Sequence, residues 1–156
     1  MTDKHALIQP DRGQKAIAIH LVSKDNFVEW AKALSPGQRT ALEGQAFTGG
    51  GYEVGIVPDG DGWFAVGGVA DPTALSSWCL AKLAESLPAG TYSLAQDDPG
   101  KALLGWQTAQ YRFTRYREEK KPAGPRILLT RDAKAIAAAQ AEAAAVAKVR
   151  DLVNTP

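Results

Sequence analysis

Tyr111-Arg112-Phe113-Thr114-Arg115-Tyr116-Arg117 interleaves aromatic rings with guanidinium groups. Rings in such a run can stack bases while the cations hold phosphates, so nucleic acid is the first chemistry to weigh. On a helix, however, Phe113 falls with Trp106 and Ala109 on one side, and the arginines spread around the rest. Glu118-Glu119 then cancels part of the charge. Trp106, Tyr111, Arg112, Phe113, Arg115 and Tyr116 therefore read as packing or interface residues ahead of a nucleic-acid surface.

The remaining chemical groups are scattered. Gly49-Gly50-Gly51 follows an expected helix and precedes an expected strand, whereas a phosphate cradle needs the reverse order, so that free amides of a helix N-terminus meet the anion. A helix-to-strand turn accounts for it. Asp59-Gly60-Asp61-Gly62 resembles the front of a calcium loop, but position twelve is Ala70 where a Glu is required, and hairpin-turn chemistry explains the run. His5 and His20 have no neighbour at metal-ligand spacing, and Cys79 sits among Leu and Trp as a packing residue. Asp97-Asp98 caps a helix. No Gly-x-Ser-x-Gly elbow occurs, so no catalytic or metal-ligating residue is assigned.

The chain of 156 residues is large enough for one domain with a real core. Hydrophobic residues at 45% and charged residues at 22% suit a globular protein, and a net charge of +1 gives no general attraction to nucleic acid or anionic membrane. One cysteine excludes an internal disulfide. The opening Met1-Thr2-Asp3-Lys4-His5 lacks the apolar core of a secretory leader, and no apolar run approaches the ~20 residues of a membrane span. A cytoplasmic location is expected.

The elements that must position these groups follow from pattern. Residues 1–14 read as a loosely attached arm. Ala16–Val22 is an apolar run for a strand covered on both faces. Asn26 and Glu29 stand at capping-box spacing before a helix carrying Phe27, Trp30 and Leu34. Ser35-Pro36, Asp71-Pro72 and Asp98-Pro99 each set a cap acceptor before a proline suited to a first helical turn, marking three helix starts. The first helix of the three runs to about Gln45, the second carries Leu75, Trp78, Cys79, Leu80, Leu83 and Leu87, and the third carries Trp106. Residues 52–58 and 63–69 flank the Asp/Gly turn as a hairpin, while Thr91–Leu94 and Arg126–Thr130 are strands. From Asp132 to Val153 the chain has no Gly or Pro and is rich in Ala, so a long helix is expected, with Ile136, Ala139, Ala143, Val146 and Val153 near one stripe. This order predicts an α/β three-layer sandwich, a mixed sheet with helices on both faces, followed by a long C-terminal helix.

Ala109-Gln110-Tyr111-Arg112-Phe113-Thr114-Arg115-Tyr116, the strand Arg126–Thr130 and the ending Val149-Arg150-Asp151-Leu152-Val153-Asn154-Thr155-Pro156 resemble, in the same order, the M17 leucyl (cytosol) aminopeptidases. The resemblance covers the last third of the chain. It implies a macro-like N-terminal α/β domain over 1–130, then an interdomain helix and the start of a catalytic domain over 131–156. It further implies that the parent releases N-terminal residues from peptides with two divalent metals, Zn or Mn, held in that catalytic domain. This part would serve assembly and access to the active site, with the catalytic domain as partner and a homo-oligomer, hexameric in relatives, as the assembly. No membrane partner is implied. Two other functions remain open from the residues: a macro-like module for a nucleotide or ADP-ribose, and nucleic-acid binding through Tyr111–Tyr116.

Overall fold

The computed structural model describes residues 7–95, 98–116 and 125–154. In chain order the elements are β1 (Ile8–Pro10), β2 (Ile17–Val22), α1 (Phe27–Ala31), α2 (Pro36–Gly44), β3 (Val54–Asp59), β4 (Gly62–Gly68), α3 (Ala81–Ser86) and β5 (Gly90–Leu94). A 3-10 turn over Gly100–Ala102 then leads into α4 (Leu103–Tyr116), followed by β6 (Arg126–Thr130) and α5 (Ala133–Asn154). The strands form one six-stranded sheet in the order β1-β6-β5-β2-β4-β3. Every neighbouring pair is parallel except the β3–β4 hairpin, so the sheet is mixed.

Helices cover both faces, as the alternation of elements predicts. Beneath α3, α4 and α5 lies the larger core, with Ile19, Leu21, Leu80, Leu83, Leu87, Tyr92, Leu103, Trp106 and Leu128 buried. Beneath α1 and α2 lies a smaller one built from Val22, Leu42, Phe47, Val57, Phe64 and Val66. Strand β2 contributes to both, which is why its sequence is apolar throughout rather than alternating.

Four expectations need correction. The N-terminal arm is tied down from Ile8, because β1 pairs with β6 and forms an edge of the sheet. The capping box at Asn26 does not form: the Asn26 side chain turns back to accept from the Ser23 amide at 2.8 Å, and α1 is only five residues long. Asp71 does not start a helix. Its carboxylate accepts from the Thr73 amide at 2.9 Å and the Thr73 hydroxyl at 2.7 Å, a local turn that competes with helix formation. Helical structure begins only at Ala81.

Asp98 is not the cap of α4 either. Ser77 supplies the acceptor instead, its carbonyl receiving the Gly105 amide at 2.8 Å. Glycine is required there, since a Cβ on residue 105 would stand 2.5 Å from that oxygen. Asp98 is thereby left to accept from the Arg131 amide at 3.0 Å, which joins the α4 approach to the turn before α5. By contrast, Ser35 and Gln38 do form a full capping box on α2, with Pro36 in its first turn.

Candidate functional site

Trp106 is fully buried on α4, and its indole N–H donates to the Arg126 carbonyl at 3.0 Å. One turn on, the Gln110 amide makes a two-way pair with the first residue of β6. Its Nε2 donates to the Arg126 carbonyl at 2.8 Å, and its Oε1 accepts from the Arg126 amide at 3.0 Å. The Arg126 guanidinium crosses to the carbonyl of Leu87, Nε to O at 2.7 Å. Tyr92 completes the cluster, edge-on to Trp106 at 5.9 Å and to Trp63 at 6.1 Å, with its hydroxyl donating to the Pro88 carbonyl. Burial pushes the Tyr92 phenol up to about 12, with the nearby Arg126 charge pulling against it, so the ring stays protonated and donating. This arrangement is a rigid seam between α4 and the strands β5 and β6. Of the residues singled out beside Trp106, the backbones of Tyr111, Arg112, Phe113, Arg115 and Tyr116 lie in α4, and their side chains lie outside the described residues.

The final helix is fixed at one end and bare at the other. Asp132 caps it, its carboxylate accepting from the amides of Lys134 at 3.0 Å and Ala135 at 3.2 Å. Ala139 and Ala143 are buried and Ile136 packs on the larger core, so the small-residue stripe lets α5 lie close to the domain. The stripe then fails: Val149, Leu152 and Val153 are 59%, 70% and 78% exposed. With 22 residues, α5 is about 33 Å long, while the strands it accompanies span only about 20 Å. Val153, placed on the packing stripe by its spacing, stands in solvent because α5 has outrun the body it leans on.

His5, Asp97, Glu118 and Glu119 lie outside the described residues, and the other candidate groups are structurally satisfied. The Gly49–Gly51 turn is closed around an internal anion, the Glu53 carboxylate, which accepts from the Thr48 amide and hydroxyl at 2.8 Å each. Burial opposes the charge on Glu53, yet the hydrogen bonds from Thr48 and Gly50, with Lys24 nearby, hold its pKa below the usual value. A Cβ on Gly68 would overlap the Gly50 carbonyl, so the turn is packed solid against β4. His20 is half-buried between Phe64 at 4.8 Å and Trp30 at 5.7 Å, and burial lowers its pKa against the pull of Asp59. Cys79 Sγ lies 2.9 Å from the Ser76 amide that donates to it. Among the described residues, no group of three His, Cys, Asp or Glu side chains is placed to hold a metal ion, and no helix is long and apolar enough to cross a membrane.

Sequence reasoning placed Gln110 on the same side of its helix as Trp106 but assigned no hydrogen-bonding role to the glutamines. Gln110, Gln38 on α2 and Gln45 just after it use their side-chain amides to complete the hydrogen bonding of strand residues. The signal for Gln110 was its position one turn after Trp106, and that for Gln38 its capping-box spacing from Ser35; Gln45 carried none.

A mixed six-stranded sheet between two layers of helices, with a long helix extending beyond it, defines an α/β domain. The model of the family described as M17 aminopeptidase, N-terminal domain, matches residues 17–129, and the chain belongs to that family. Among solved structures, the cytosol aminopeptidase of Coxiella burnetii is similar at 22% identity and a TM-score of 0.77, over 96% of this chain and 34% of that one. A tomato leucine aminopeptidase mutant is similar at 16% identity and a TM-score of 0.62, over 96% of this chain and 38% of that one. The chain thus spans little more than a third of the length of the structures it resembles. None of the curated proteins matches it in sequence.

Proposed function

We propose that the chain is the non-catalytic N-terminal part of a metal-dependent leucyl aminopeptidase, with residues 1–130 as the domain and 131–156 as the link into a catalytic domain. The observation that carries this reading is the family match over residues 17–129, in a chain that spans about a third of its structural neighbours. The exposed apolar end of α5 supports it, because Val149, Leu152 and Val153 form a stripe that a following domain would cover. In this reading the two divalent metals, zinc or manganese, belong to the catalytic domain and supply the Lewis-acid chemistry there. This chain's own residues do mechanical work: Asp132 and the alanine stripe set the direction of the link, and the Trp106–Gln110–Arg126 seam keeps α4 and β6 rigid beneath it.

The proposed partners are the catalytic domain and further copies of the same protein, the proposed parent substrates are peptides, and the proposed location is the cytoplasm. Trp106, Tyr111, Arg112, Phe113, Arg115 and Tyr116 are proposed as packing and interface residues on α4. The test is leucine-amide hydrolysis with Mn²⁺ or Zn²⁺, comparing residues 1–156 with the same chain extended into its following segment. Turnover by the extended protein and none by residues 1–156 is the expected result; turnover by residues 1–156 alone overturns the assignment.

A further inference from the structure

Strand β3 ends the sheet on one side, and an edge strand presents unpaired N–H and C=O groups to any other chain. In the hairpin, Gly55, Val57 and Asp59 direct their backbone groups toward β4, so Val54, Ile56 and Pro58 direct theirs outward. The outward groups of the last two are occupied by α2. Gln45 Oε1 accepts from the Ile56 amide at 2.8 Å, and Gln45 Nε2 donates to the Ile56 carbonyl at 2.7 Å. These are the two bonds that a residue of an added strand would make. Gln38 Nε2 donates to the Pro58 carbonyl at 3.0 Å, while proline itself offers no amide.

Both glutamines are aimed by the helix that carries them. Gln38 Oε1 is held by the Ser35 amide in the capping box, leaving Nε2 for the strand. Gln45 follows the last residue of α2, and its Nε2 also reaches the Ala41 carbonyl at 2.8 Å, one turn back. The chain then reverses at Ala46, which takes a positive φ of 57°.

We propose that Gln45 and Gln38 form a guard that stands in for a seventh strand and keeps the β3 edge from pairing with β3 of a second copy of this chain. The unguarded edge suits self-pairing. In an antiparallel pair centred on Ile56, the two Ile56 residues exchange both backbone bonds, and each Val54 amide meets the partner's Pro58 carbonyl. The flanking side chains do not prevent it, since Ile56 is 39% exposed and Val54 and Pro58 carry no charge.

The test is Gln45→Ala in the whole chain, read by light scattering across a concentration series and by amide exchange at Ile56. Gln45 is exposed and water can replace its bonds, so the variant is expected to melt cooperatively. At low concentration the Ile56 amide should exchange about fivefold faster than in the wild type, matching the loss of one hydrogen bond. At high concentration the mass should double relative to the wild-type species and the Ile56 amide should become protected again. Adding Ile56→Pro, which removes the outward donor, should abolish the doubling. As a second reading, a peptide copying residues 54–59 should bind the Gln45→Ala variant and not the wild type. A variant that keeps the wild-type mass at every concentration and ignores the peptide overturns the proposal.

Discussion

On one face of the sheet, α3, α4 and α5 enclose Leu80, Leu83, Leu87, Leu103 and Trp106, each no more than 2% exposed. On the other face, α1 buries no residue and α2 buries only Leu42, with Phe27, Trp30 and Leu34 partly covered. The first face is apolar bulk cross-linked by the hydrogen bonds of Trp106, Gln110 and Arg126. The second is a thin aromatic layer in which Gln38 of α2 and Gln45 just after it add side-chain hydrogen bonds to β3. Stability should therefore reside on the first face, and the second should be the one that yields.

Paired tryptophan replacements test this contrast most strongly. Trp106→Ala removes a fully enclosed indole and its hydrogen bond and should cost about 3–5 kcal/mol in urea unfolding. Trp30→Ala removes a half-buried ring and should cost about 1–2 kcal/mol, in line with the smaller area returned to water. Equal losses would erase the distinction between the faces. Ser35→Ala, which breaks the capping box on α2, should cost about 1 kcal/mol and sharpen the claim that this layer is held by local bonds.

The smallest effect is a pH dependence. His20 lies in the thin layer, and burial lowers its folded pKa below 6.5, its ordinary value. Below pH 6.5 the unfolded chain binds a proton that the folded chain resists, so its contribution to stability is lost as pH falls from 6.5 through the folded value. Chemical denaturation from pH 7.5 down to 5 should show this slope in the wild type. The part due to His20 should vanish in His20→Phe.

Much of this architecture was legible because it rests on strong local signals. The apolar run of β2, the Asp/Gly turn between β3 and β4, the Ser35-Pro36 start of α2 and the alanine-rich α5 all appear in the structure. The errors fell where one cap signal met a competitor, local at Asn26 and Asp71 and long-range at Asp98. Asp71 and Asp98 both look like helix caps, but Thr73 takes one into a turn and the Arg131 amide takes the other to the α5 junction. A capping acceptor from Ser77, far from α4 in sequence, cannot be read from spacing. The same is true of Gln45 and Ile56, which meet only because α2 folds along the sheet edge. The stripe on α5 was visible, but not the point at which it runs out of domain to lean on.

That point is where the account is most exposed to test. Amide exchange along α5 in residues 1–156 should show protection across residues 135–147, which lie against the domain, and rapid exchange from Val149 onward. In the protein extended past Pro156, the same last turns should become protected while the first turns stay unchanged. Uniform exchange along α5 in residues 1–156, or last turns that remain unprotected in the extended protein, would contradict the reading of this helix as a link docked at one end and awaiting a domain at the other.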